Sequence, residues 1–185
     1  KKQADVNSFV ALVNDSQHEA IKQRLKDLID ADKDEQQRYF NDSKGETVLI
    51  NYFLTQVKTL SDKDEHELGA EVVALAQAVY GRLTDISKMT QAFDKSRSKR
   101  IAELDAALVN LLNSETFVDD YLQLKGLWDT LKRVDQDNSK LSDTGTAIEL
   151  EDGIHFLISE EDFGAADRLV DFSLTLLANN PVFAE

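Results

Sequence analysis

The chain has 185 residues, 42% of them apolar, which is enough to bury a core and too many for a disordered segment. Its 21 basic and 35 acidic side chains leave a net charge of −14, which repels phosphate backbones and anionic lipid and argues against nucleic-acid binding. With no cysteine, the chain has no disulfide, thiolate metal site or cysteine nucleophile.

Val6, Phe9, Val10 and Val13 make the first helical face, with a break expected at Asn14-Asp15-Ser16. Ala20, Ile21, Leu25, Leu28 and Ile29 resume the stripe, which thins over the polar run 30–38 and closes at Tyr39 and Phe40. Asn41-Asp42-Ser43-Lys44-Gly45 reads as a turn. Val48, Leu49, Tyr52, Phe53, Val57 and Leu60 form the next helix, and Ser61 followed by Asp62, Asp64 and Glu65 reads as the capped start of another.

From Leu68 through Val72, Leu75, Val79, Leu83, Ile86, Met89 and Phe93 to Ile101, Leu104, Leu108 and Leu111, apolar residues recur at threes and fours, with one step missed near Arg97. Unbroken, such a helix over 62–113 would span about 80 Å at ~1.5 Å per residue. The gap at Ser96, Ser98 and Lys99 favours two helices or one strongly bent one. Ser114 is a candidate cap for a helix carrying Phe117, Tyr121, Leu124, Leu127, Trp128, Leu131 and Val134, and 135–145 is the longest loop signal.

Residues 145–164 support two periods. Ile148, Leu150, Ile154, Phe156 and Ile158 alternate about Asp152-Gly153, as in a hairpin over 146–158. Ala147, Leu150, Ile154, Leu157 and Ile158 also fit a helix over 147–158, with Thr146 and Glu149 spaced as a capping box. Helix is the preferred reading, because a lone two-stranded hairpin is marginal and no other segment offers a third strand. Ser159 then caps a last helix with Phe163, Ala166, Leu169, Val170, Leu174 and Leu177. No internal repeat is apparent.

The expected fold is all-α: a single domain over 1–185, an elongated antiparallel bundle of about five helices with coiled-coil-like packing, and a short hairpin near 146–158 as the alternative for that segment. No apolar run reaches the ~20 residues that span a bilayer. The chain starts at Lys1 without methionine, as expected of a trimmed or processed chain, in which a removed signal or anchor segment would leave no trace.

Catalytic and metal signatures are missing. The acidic runs at Asp135 and Asp30 begin like calcium loops, but Lys140 and Glu35 stand at the sixth position and Thr146 and Asn41 at the twelfth, where glycine and glutamate are needed. His18, His66 and His155 have no second histidine at helical spacing, and no nucleophile elbow or phosphate-binding glycine loop occurs. An enzyme is not expected, nor any cofactor or metal. Two candidate sites remain. Lys95, Arg97, Lys99 and Arg100 form the one basic cluster, either a solvated helix face or a contact for an anionic partner. Tyr121 and Trp128 share a face, either as core or as the lining of a ligand cleft.

Three stretches, HEAIKQRLKDLIDADKDEQQRYF (18–40), AVYGRLTDISKMTQAFDKS (78–96) and ALVNLLNSETFVDDYLQLKGLWDTLKRVDQDNSKLSD (107–143), resemble the cell-wall-binding lipoproteins of Gram-positive bacteria, which are secreted and rich in long charged helices. The resemblance is one of pattern over about two thirds of the chain. The family is richer in lysine, and the tail after 144 has no counterpart in it. The resemblance implies an envelope location and a binding role toward protein or cell-wall polymer, and carries over no binding residue. The expected function is a non-catalytic binding or scaffolding domain outside the membrane, in which a homo-oligomer is compatible with the helical surface. The alternatives are an extracytoplasmic sensor domain for a small ligand and a cytosolic coiled-coil adaptor.

Overall fold

The computed structural model describes residues 2–15, 17–31, 40, 43–114, 121–142 and 144–177. Every regular element among them is helical: α1 (Lys2–Asn14), α2 (His18–Asp30), α3 (Ser43–Asp62), α4 (His66–Tyr80), α5 (Thr84–Leu112), α6 (Tyr121–Val134), a 3₁₀ turn (Ser139–Ser142), α7 (Thr144–Ser159) and α8 (Phe163–Leu176). The all-α expectation is met. The polar run 32–39 and Phe117 lie outside the described residues.

Backbone contacts divide the chain into two compact units, residues 1–96 and 97–185, and each has its own core. The first core is aromatic-rich: Phe9, Tyr52, Phe53, Tyr80 and Phe93 pack with Ile21, Leu25 and Val72. The second is leucine-rich, with Leu104, Leu108, Leu124, Leu131, Leu150 and Leu169 around Trp128.

The long apolar stripe is broken at another place than its gap suggests. The backbone turns at Gly81-Arg82-Leu83, where the Leu83 N–H donates to the Tyr80 carbonyl (2.9 Å). A Cβ on Gly81 would fall 2.5 Å from the Gln77 carbonyl oxygen, so glycine is what lets the helix end there. Helix α5 instead runs unbroken through Ser96–Lys99. Serine, lysine and arginine cost a helix little, and no glycine or proline interrupts them. The missed step therefore marks where burial changes from one core to the other: between Phe93 and Leu104 no residue is fully buried.

Two helix ends differ from the sequence reading because left-handed residues set them. Asp64 has φ 58°, its N–H donates to the Ser61 carbonyl (3.1 Å), and the Glu65 N–H reaches the Leu60 carbonyl (2.8 Å). This Schellman closure puts Ser61 in the last turn of α3 rather than at the start of α4. Glu161 repeats it with φ 61°: its N–H donates to the Ile158 carbonyl (3.1 Å) and the Asp162 N–H to the Leu157 carbonyl (3.0 Å). Ser159 consequently caps nothing. Its hydroxyl donates back to the Phe156 carbonyl, while the Asp162 side chain accepts from the Ala165 N–H (3.0 Å) as the cap of α8. Ser43–Gly45, read as turn, and Thr144–Gly145, read as loop, belong to the first turns of α3 and α7.

The hairpin alternative for 146–158 is replaced by helix α7. Thr146, Ala147, Leu150, Gly153 and Leu157 are its buried residues, whereas Ile148, Phe156 and Ile158 of the alternating set are exposed. Thr146 is a buried residue of the first turn, so it does not act as the cap of a capping box.

The two units repeat one plan. Helices α3 and α4 form a hairpin over a three-residue link, 63–65, and α7 and α8 form another over 160–162. The second lies 97 residues after the first (163 − 66 = 97). At that spacing Leu49, Phe53, Gly69, Val72, Ala76 and Tyr80 match Thr146, Leu150, Ala166, Leu169, Ser173 and Leu177, and all twelve are buried. Upstream, Ala11-Leu12-Val13-Asn14 at the end of α1 recurs as Ala107-Leu108-Val109-Asn110 near the end of α5. Leu25-Lys26-Asp27-Leu28 in α2 is echoed by Leu124-Lys125-Gly126-Leu127 in α6, with Leu25 and Leu124 both fully buried.

Candidate functional site

The basic cluster lies along the middle of α5. The Arg97 Nε–H donates to the Val134 carbonyl (2.9 Å), and its Nη2 lies 3.3 Å from Asp135 Oδ1. A guanidinium on the last carbonyls of α6 satisfies orphan acceptors and complements the negative end of the helix dipole. Lys99 and Arg100 each stand 3.5 Å from Glu103, at i,i+4 and i,i+3 spacing. Lys95 is exposed. Three of the four cations are thus paired with groups of their own chain. Trp128 is fully buried in the second core, where it supplies packing. The side chain of Tyr121, the first residue of α6, lies outside the described ones.

A groove that no single stretch of sequence announces lies in the first unit. It occupies about 330 Å³, toward the small end of ligand-sized pockets. Helix α3 provides one wall: Val48, Asn51, Tyr52, Thr55 and Gln56 fall on one face at three- and four-residue steps. The corner from α1 into α2 provides the other, with Val13, Asn14 and His18. The floor is apolar, because Val13 and Val48 are half-buried and Tyr52 is buried edge-on against Phe53. Asn14, His18, Asn51 and Thr55 are exposed along the rim. The His18 and Tyr52 rings lie 5.9 Å apart, tilted by 30°. Burial, with a smaller push from the Glu19 charge, raises the Tyr52 phenol to about 12, so it stays neutral and able to donate.

Lys22 fixes the neighbouring wall by bridging Glu19 (3.4 Å) on its own helix and Glu71 (3.1 Å) on α4. Burial pulls its ammonium down in pKa, but the hydrogen bonds and charges of Glu71 and Glu19 outweigh that and hold it above its ordinary value.

The second unit has a groove of about 190 Å³. At the 97-residue spacing its Gly145 and Glu149 match Val48 and Tyr52 of the first, whereas the counterparts of Asn51, Thr55 and Gln56 do not line it. Its lining differs in chemistry, with Lys140 and Glu149 in place of aromatic rings. A larger cleft of about 580 Å³ follows 77–83 in the first unit, with Ile29 and Phe40 in its wall and Glu46 and Arg82 as its charged groups.

Among the described residues, no group of three or more His, Asp or Glu side chains is placed to hold a metal ion. No described helix is long and apolar enough to cross a membrane. His18 and Tyr52 carry no motif; the sequence shows the first as a surface histidine and the second as part of an apolar stripe, and only the packing of the α1–α2 corner on α3 brings them together. No family model, curated protein or solved structure matches the chain.

Proposed function

We propose that this chain is a non-catalytic binding domain, the extracytoplasmic part of an envelope-associated protein that holds a cell-wall polymer or a protein partner. The observation that carries this reading is the groove between the α1–α2 corner and α3. Its exposed polar groups stand around an apolar floor and offer hydrogen bonds and a ring face, the equipment of recognition. The pattern-level resemblance to cell-wall-binding lipoproteins supports the same reading. A net charge of −14 disfavours anionic polymers and leaves uncharged ones as the better match.

Retention of the purified chain on an insoluble cell-wall preparation tests this. Saturable retention that changes little between low and high salt is expected, since screening does not weaken contacts between uncharged groups. Failure to be retained, together with a cytosolic location of the full-length protein, overturns it.

A further inference from the structure

The structure assigns the groove formed by Asn14, His18, Asn51, Tyr52 and Gln56 as a site for a short, uncharged oligosaccharide. This deepens the reading of a binding domain and rests on it. The lining decides the ligand class. Uncharged sugars present two kinds of surface, a ring face of C–H groups and a rim of hydroxyls or acetamides. The groove presents the complement of each. The exposed ring of His18 lies 5.9 Å from the buried ring of Tyr52, with Val13 and Val48 extending the apolar surface. Around them stand three carboxamides, Asn14, Asn51 and Gln56, and the hydroxyl of Thr55. Each carboxamide donates and accepts at once, as a sugar hydroxyl does.

Charge points the same way. Among the described residues that line this groove there is no carboxylate, lysine or arginine, in a chain where these residues make up 30% of the sequence. The Tyr52 phenol is neutral up to about pH 12 and adds a donor without adding charge. The groove of the second unit shares two of these helix positions, with Gly145 matching Val48 and Glu149 matching Tyr52. There Glu149 replaces Tyr52 and Lys140 adds a cation, so the sugar-facing chemistry belongs to the first unit alone.

The test is a titration of the full chain, labelled for amide NMR, with chitotriose and separately with cellotriose, both uncharged trisaccharides. Saturable shifts confined to 13–18 and 48–56 are expected with at least one of them, and none at 109–113 or 145–149. Asn51→Ala and Gln56→Ala, at the rim of the groove, are each expected to weaken that binding about tenfold while resonances elsewhere stay in place. Absence of saturable shifts from both sugars overturns the assignment. So do shifts that map elsewhere, affinity unchanged in both variants, or saturation of the groove by an uncharged tripeptide and not by either sugar. Wall retention separates the two readings. If neither trisaccharide binds in the groove but the native chain is retained on cell wall, the groove assignment fails and the binding role stands; if the native chain binds trisaccharide in the groove but is not retained, the envelope role fails and the groove stands.

Discussion

The two units solve one backbone problem with different side chains. Both fold a helical hairpin over a three-residue link closed by an acidic residue in the left-handed region, Asp64 in one and Glu161 in the other. Both bury the same six positions along that hairpin. Yet the first core is filled by Phe9, Tyr52, Phe53, Tyr80 and Phe93, and the second by leucines around Trp128. The positions that must be buried are thus repeated, while the shapes that fill them are free to differ as long as each interior is packed.

The comparison breaks most easily at Trp128. Trp128→Ala is expected to cost about 3–5 kcal/mol in urea denaturation. The loss should appear as faster amide exchange in 121–177, with 49–93 less affected; equal acceleration in both regions would show that the two cores do not answer separately. Trp128 Nε1 has no hydrogen-bond partner among the described residues, so Trp128→Phe removes a buried unsatisfied donor as well as volume and should cost much less than alanine.

Alkali tests the aromatic core of the first unit. Tyr52 is raised from 10.0 to about 12 in the folded chain. The folded state therefore holds that proton more tightly than the unfolded one. The resulting stability is fully present below pH 10 and is lost as pH rises toward 12, about 2–3 kcal/mol in all. Absorbance titration should show a tyrosine ionising near pH 12 that disappears in Tyr52→Phe, and that variant should lose less stability across the same window.

A smaller effect is expected at Gly69. An added Cβ would meet the Phe93 ring at 2.7 Å, and the same ring lies 5.7 Å from that of His66. Gly69→Ala should cost about 1–2 kcal/mol, overpacking outweighing the helix propensity that alanine brings. The matching position in the second unit already carries Ala166, so the comparison predicts room there and none here. Unchanged stability of Gly69→Ala would mean that Phe93 yields.

The smallest effects concern the two links. Glu161→Gly should stabilise by up to about 1 kcal/mol by relieving the left-handed residue, and Asp64→Gly by less, since aspartate tolerates that region better than glutamate. Thermal midpoints that move equally would argue against this ordering.

The sequence shows its helices through spacing. The set Ala147, Leu150, Leu157 is buried in α7, and the competing alternation fails because three of its five members face solvent. Helix ends are less legible, because Ser61, Thr146 and Ser159 look like caps, whereas the termini are fixed by φ at Asp64 and Glu161 and by the cap at Asp162. The gap near Arg97 reads as a hinge but records a change of core within one helix. The repeat is hidden because aligned positions share burial more than identity: Phe53 corresponds to Leu150, and Ala76 to Ser173. The groove is hidden for a related reason. Asn14, His18 and Asn51 are ordinary surface residues until two segments some thirty positions apart are folded together.

A plan written twice relaxes what each copy must preserve. Glu149 and Lys140 line the second groove while Leu150 and Leu169 stay buried, so one module keeps the buried scaffold with different groups at that edge. For anyone reshaping this molecule, that makes the 145–149 edge of α7 a natural place to write new side chains, since Gly145 and Glu149 stand there where the first unit has Val48 and Tyr52.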